Sequence, residues 1–301
     1  MNNIPNLQNG KNHLQQLAAQ RQLYATAKKV FGWHFFIAGP IAVGFGIVAI
    51  AYPNIKEFVA LWGLLVVLAD LFWLTPWQKR LRENAARIQE LFDCEVLEIP
   101  WNSLKAGSTP DEELIKEQSD AYELWRAKMP QLEDWYPVTV GGLPLYLGRL
   151  ICQRSNCWWD AKQRRHYAGC ILLAVIMAFL ILLFLALRGG LTIGDFMLQV
   201  VAPLSPVMLV GLRQFCEQRD AANRLDKLKS HVESTWKNAL QSGEAEAISE
   251  ARNLQNEIFE NRKKAPPVLD WLFNRLRNAY EIQMNHSSEK YVAEAMEAIN
   301  S

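Results

Sequence analysis

Between Arg149 and Arg165 the chain reads RLICQRSNCWWDAKQRR, five basic residues to one acid with two adjacent tryptophans. Arginine forks bind phosphate oxygens in pairs, and aromatic faces give nucleobases a stacking surface. Arg149, Arg154, Trp158, Trp159, Arg164 and Arg165 are therefore the candidates for holding a nucleotide ligand. The same composition also describes a basic flank with interfacial tryptophans beside a membrane span, and both readings stand. Asp70 is the second residue of interest, because a carboxylate inside an apolar run costs several kcal/mol unless hydrated, paired or protonated. It reads either as a pore or gate residue facing water or as a structural hydrogen-bonding group. Nothing points to catalysis. There is no phosphate-cradling glycine loop, HExxH helix or nucleophile elbow. The five histidines are scattered, and Cys152 and Cys157 have no second Cys/His pair to complete a zinc site. The expectation is a protein that is not an enzyme and needs no metal or cofactor.

The elements that position these residues are set by four apolar runs, at 33–53, 58–77, 167–187 and 191–212. Each matches the ~20 residues a helix needs to cross a ~30 Å hydrocarbon core, and inside lipid the backbone must be helical to satisfy itself. A mean hydropathy near zero hides them, because polar segments dilute the average. Basic residues flank the pairs on their outer ends (Arg21, Lys28, Lys29, Lys79, Arg80, Arg164, Arg165, Arg213, Arg219), whereas the hairpin turns carry only Lys56 and Arg188. By the positive-inside tendency both termini and the central segment are cytoplasmic. The fourth run is the least regular, with Asp195, Gln199, Pro203 and Pro206. Ala38, Ala42 and Gly46 recur every four residues in the first run and mark a helix-packing seam. The fold class that follows is mainly α, an integral membrane protein with two transmembrane helical hairpins and cytoplasmic helical segments. Its divisions are a cytoplasmic N-terminal amphipathic segment (1–32), hairpin 1 (33–77), a central cytoplasmic region (78–166), hairpin 2 (167–212) and a C-terminal cytoplasmic helical region (213–301).

Outside the runs, residues 14–30 read as an amphipathic helix leading into the membrane, either lying on its surface or acting as a gate or subunit contact. Residues 94–100 read as a short strand or extended linker. Thr109-Pro110-Asp111-Glu112 reads as a capping box opening a helix that stops before Pro130. Leu225, Leu228, Val232 and Ala239 suggest intramolecular helix packing, with subunit contact as the alternative. Leu269, Leu272, Leu276 and Tyr280 mark a short amphipathic helix after Pro266-Pro267.

Five segments then carry a resemblance. IPNLQNGKNHLQQLAAQRQLYATAKK, AARIQELFDCEVLEIPWN, LEDWYP, RLICQRSNCWWDAKQRRHYA and LQNEIFENRKKAPPVLDWLFNRLR are similar, in the same order around two apolar hairpins, to the SMODS-associated four-transmembrane effector family. The resemblance implies a pore-forming effector of bacterial anti-phage signalling, in the inner membrane. A cyclic oligonucleotide made by a nucleotidyltransferase would activate it, and it would oligomerise in the lipid bilayer and permeabilise it. Its partners are then the bilayer, the nucleotide messenger and further copies of itself, with no DNA or RNA polymer. The alternative is a membrane scaffold or receptor that recruits a cytoplasmic partner without permeabilisation.

Overall fold

The computed structural model describes residues 1–37, 41, 56–123, 132–190, 192–197 and 201–300, and among these it is helical with no strand. Ala38, Ala42, Gly46 and Pro130, and most of the first apolar run, lie outside the described residues. Helix α1 (Ile4–Leu7) precedes α2 (Lys11–Phe36). Leu17, Ala18, Ala19, Leu23, Ala25, Ala27 and Val30 of α2 are all buried. They pack against α4 (Thr75–Val96) and α6 (Glu112–Glu123). Buried alanines let neighbouring helices approach on more than one side. The segment expected at the membrane surface is therefore a core helix of a polar body.

The second apolar run is helix α3 (Lys56–Ala69), which passes through a π-helical turn (Asp70–Leu74) directly into α4. Pro76 supplies the cause, since it has no N–H and its ring clashes with the preceding turn, and a π turn absorbs both defects. Thr75 Oγ1 donates to Asp70 Oδ1 at 2.9 Å, so Asp70 has a hydrogen bond inside this turn.

Helix α4 ends in a Schellman arrangement. Ile99 N–H donates to the Cys94 carbonyl at 2.9 Å, and Glu98 takes a left-handed φ of 51°. Residues 94–100 are thus a helix end and its cap rather than a strand or a uniformly extended linker. Asn102 then caps the short α5 (Ser103–Ala106) through its side chain. Helix α6 begins at Glu112, not at Pro110, and the Asp111 carbonyl takes its first hydrogen bond, from Ile115.

A 3₁₀ turn (Val138–Gly142) leads to α7 (Leu145–Arg188), 44 residues in one helix. Its first half buries Leu147, Leu150, Ile151, Cys152, Cys157 and Ala161, whereas its second half exposes Leu173, Ile176, Leu180, Ile181, Phe184 and Leu187. A helix that changes from amphipathic to apolar all round passes from protein surroundings to lipid. Leu61–Val96 and Leu145–Arg188 are the two described helices long and apolar enough to cross a membrane. After Gly190, at φ 75°, come a single turn α8 (Ile193–Phe196) and the long α9 (Ala202–Ser242), which packs along α7. Gly243, at φ 84°, makes the break to α10 (Glu244–Lys264), a conformation glycine adopts without steric cost. The helix after Pro266-Pro267, α11 (Asp270–Asn300), has 31 residues and is not the short element its apolar spacing suggested.

The main core joins α1, α4, α7, α9, α10 and α11 through Ile4, Phe92, Leu147, Ile151, Val232, Trp236, Leu254 and Ala295. Leu225 packs with Cys157, Ala161 and Ile258, so the leucine spacing of α9 serves intramolecular packing. Where α9 meets the apolar half of α7, a Cβ on Gly211 would lie 2.7 Å from Val175 Cγ2. Overpacking of this kind costs about 1–3 kcal/mol, and Val175 has little rotamer freedom in a helix. Gly211→Val should lower the melting temperature of the detergent-solubilised protein by roughly 2–8 °C. Gly63→Val, where nothing lies within 4 Å, should leave it unchanged.

Candidate functional site

A cavity of about 240 Å³ opens where α2, α7, α10, α11 and the segment 132–137 converge. Helix α2 presents Gln20, Arg21, Tyr24, Ala25 and Lys28 to it, a stripe that the 3.6-residue period places on one face. Trp135 and Tyr136 enter from the 132–137 segment, which is clamped from the N-terminus. Tyr136 N–H donates to Gln8 Oε1 at 2.7 Å, and Gln8 Nε2 donates to the Tyr136 carbonyl at 3.2 Å. Helix α7 contributes Trp159 and Arg164, α10 contributes Arg262, and α11 contributes Asp270, Phe273, Arg277 and Glu281.

The floor is a buried polar network. Asp93, fully buried, accepts from Arg262 Nη1 at 2.5 Å, Gln255 Nε2 at 2.8 Å and Tyr136 Oη at 2.6 Å. Asn156 Nδ2 of α7 donates to that same tyrosine oxygen at 2.9 Å. Burial alone would lower Arg262, but the Asp93 carboxylate more than offsets it and holds the guanidinium above its ordinary value. Burial and then Asp93 push the Tyr136 hydroxyl well up. Both groups therefore keep their protons across the physiological range, and the network is fixed.

Arg21 differs from the other cations. Its guanidinium lies 4.6 Å from the Phe273 ring centre and 5.6 Å from that of Trp135. Its Nε is buried with no hydrogen-bond partner among the described residues. Burial lowers it to about 10, still charged at neutral pH. A cation beside aromatic faces has the chemistry to pair with an anion that carries a flat ring. Five basic and five acidic side chains line the cavity. Lys28 pairs with Asp270, Arg277 with Glu281 at 2.5 Å and Arg164 with Asp160 at 2.9 Å. A multiply charged anion must therefore displace carboxylates as it enters.

Of the six candidates in the arginine–tryptophan stretch, the cavity brings together Trp159 and Arg164. Arg164 Nη1 donates to the Pro266 carbonyl and to Gln218 Oε1, each at 2.8 Å. Arg149 is buried at the end of α4, donating to the carbonyls of Leu97 and Glu98, and so completes a helix cap. Arg154 joins three helices through Glu233 at 2.8 Å, Ser287 at 3.1 Å and the Tyr291 ring at 4.6 Å. Trp158 and Arg165 line a separate open groove with Lys162 and His166, and Arg165 pairs with Asp226 there. Arg21, Tyr24, Lys28, Trp135 and Phe273 were not among the candidates. The signal for the first three was their helical spacing, which basic-flank counting overrode. Among the described residues no group of three or more His, Cys, Asp or Glu side chains is placed to hold a metal ion.

Fold and site together define a membrane-associated protein, helical with no strand among its described residues, whose polar body holds a cavity of mixed charge and aromatic character. Residues 2–291 match the SMODS-associating 4TM effector domain, and the chain belongs to that family. It is also similar, at 24% identity over 197 residues, to a protein of Bacillus cereus (strain VD146) described as a "probable CBASS effector molecule". That match covers 64% of this chain and 63% of the relative, so the chain spans under two thirds of that protein's length. No solved structure matches the chain.

The floor of the cavity has a direct test. Asp93→Ala leaves the Arg262 guanidinium buried without its carboxylate, and breaking a buried pair in this way costs about 3–5 kcal/mol. Urea unfolding of the solubilised protein should show a loss of this size.

Proposed function

We propose that the chain is the membrane effector of a bacterial cyclic-oligonucleotide anti-phage system. Its cavity receives the messenger, and the occupied form assembles with further copies to permeabilise the inner membrane, arresting growth or killing the cell. One observation carries the reading: a buried cation, Arg21, between aromatic side chains and without a hydrogen-bond partner for its Nε, in a chain of this family. The relative's description as a CBASS effector supports the signalling context and, with it, a nucleotidyltransferase that supplies the messenger. The cavity volume of about 240 Å³ suits a base and part of its sugar-phosphate. Pockets that enclose a drug-sized ligand run from about 300 to 1,000 Å³, so a whole cyclic oligonucleotide requires a wall to move. Basic residues beside the apolar helices support four spans with both termini and the central region in the cytoplasm. The chain acts without catalysis or cofactor, and Asp70, in a π turn of the second span, is its gate candidate.

Shifting a 1:99 equilibrium to 99:1 takes ~5.5 kcal/mol of differential binding, which only several phosphate and stacking contacts together supply. Purified protein in dye-loaded liposomes should release dye on addition of the activating cyclic oligonucleotide from a synthetic panel. Arg21→Gln should weaken binding of that compound by about 1.5–3 kcal/mol, the range for a lost charged hydrogen bond. Asp70→Asn should leave binding intact and change the leak rate. Binding without leakage in the wild-type protein would instead establish the non-permeabilising receptor.

A further inference from the structure

We infer that Arg21 and Lys28 form a phosphate subsite of the cavity and that the carboxylate of Asp270 occupies it here in place of a phosphodiester. This rests on the reading of the cavity as the messenger site. Arg21 and Lys28 stand two helical turns apart on one face of α2, with Tyr24 between them, and all three line the cavity. Lys28 Nζ donates to Asp270 Oδ1. One turn along the same helix, the Phe273 ring lies 4.6 Å from the Arg21 guanidinium. The first turn of α11 thus offers α2 an anion for one cation and a ring face for the other. A nucleotide phosphate beside its base offers the same two things.

The pairing is built to be exchanged. The Lys28 side chain is 18% exposed and that of Asp270 is 53% exposed. A phosphate that takes Lys28 therefore releases Asp270 into water rather than stranding it in the protein, which avoids the penalty for an unpaired buried charge. The segment before α11 is anchored separately. The Ala265 carbonyl accepts from Arg82 at 3.3 Å, the Pro266 carbonyl from Arg164 at 2.8 Å and the Pro267 carbonyl from Gln218 at 3.1 Å. The Asp270 side chain can then leave Lys28 while the chain just before it stays held and Leu272 stays buried against Tyr167 of α7, and its departure opens this side of the cavity. Helix α2 continues from Lys28 through Trp33 to the first apolar run, so the exchange acts five residues from the predicted membrane boundary.

The test uses opposite charge changes on one contact, in full-length protein in nanodiscs, with inorganic pyrophosphate as the probe and calorimetry as the readout. Asp270→Asn removes the competing carboxylate and should tighten pyrophosphate binding about tenfold; Lys28→Gln removes the cation and should weaken it about tenfold. Lys28→Arg should stay within about threefold of wild type, which separates charge from packing. If Asp270→Asn fails to fold, Asp270→Ser carries the same expectation. An ordinary structural ion pair gives both charge-removing variants wild-type affinity, or shifts both in one direction, and either result overturns the inference. A parallel titration of wild-type protein with cyclic oligonucleotides keeps the two ideas apart. Opposite pyrophosphate shifts with no oligonucleotide binding retain the subsite and reject the messenger. Oligonucleotide binding with no pyrophosphate shift in either variant does the reverse.

Discussion

Asp93 is a carboxylate with 0% of its surface exposed, in surroundings where an unpaired ion would cost several kcal/mol even after relaxation. It is tolerated because Arg262, Gln255 and Tyr136 all donate to it. The architecture of the polar body depends on that convergence. Asp93 belongs to α4, which continues the helix of the second apolar run. Arg262 and Gln255 belong to α10, Tyr136 to the segment held by the N-terminus, and Asn156 extends the network to α7. Four distant parts of the chain are thereby fixed in one place, and hydrophobic burial, which is not directional, would not have specified their arrangement. Glu90, one turn earlier, adds Arg252 at 2.6 Å and a second hydrogen bond from Gln255 at 2.8 Å.

The cavity lies against this network because Arg262 and Tyr136 belong to both. Its floor is a buried ion network, whereas its α11 wall meets α2 through the half-exposed Lys28–Asp270 pair and meets α7 through Leu272, buried against Tyr167. The same contrast runs along the chain. The polar body buries alanines, leucines and polar groups, whereas the apolar helices present leucine, isoleucine and phenylalanine outward. Trp33, Trp73 and Trp77 are exposed near the changeover between the two, where amphipathic rings prefer to lie.

Helix content was legible in the third apolar run and at the proline stop that precedes the last helix. The run 167–187 and the stop at Pro266-Pro267 both fall where local chemistry demands them. The cavity was half legible. Trp159 and Arg164 stood out by residue type, but Arg149 and Arg154 are of the same type and serve a helix cap and an inter-helix tie. Only the tertiary fold decides whether an arginine faces a carbonyl, a carboxylate or open space. Arg21 and Lys28 were misweighted for a related reason. Basic residues ahead of an apolar run satisfy a topology rule, and that explanation left their shared helical face unexamined. Residues 94–100 misled because a capped helix end and a short strand both carry closely spaced apolar residues.

Helix α7 passes without a break from Trp159 and Arg164 at the cavity to Arg188 beyond the apolar stretch. From Arg164 to Arg188 the distance is ~36 Å at 1.5 Å per residue. An unbroken helix of that length behaves as a stiff rod, so movement at one end is transmitted by geometry rather than through a relay of side chains. A tilt of ~5° about the cavity end would carry the far end sideways by ~3 Å on that length. That is more than half the pitch of a helix, enough to bring a different set of side chains to whatever the far end packs against without any change in the fold.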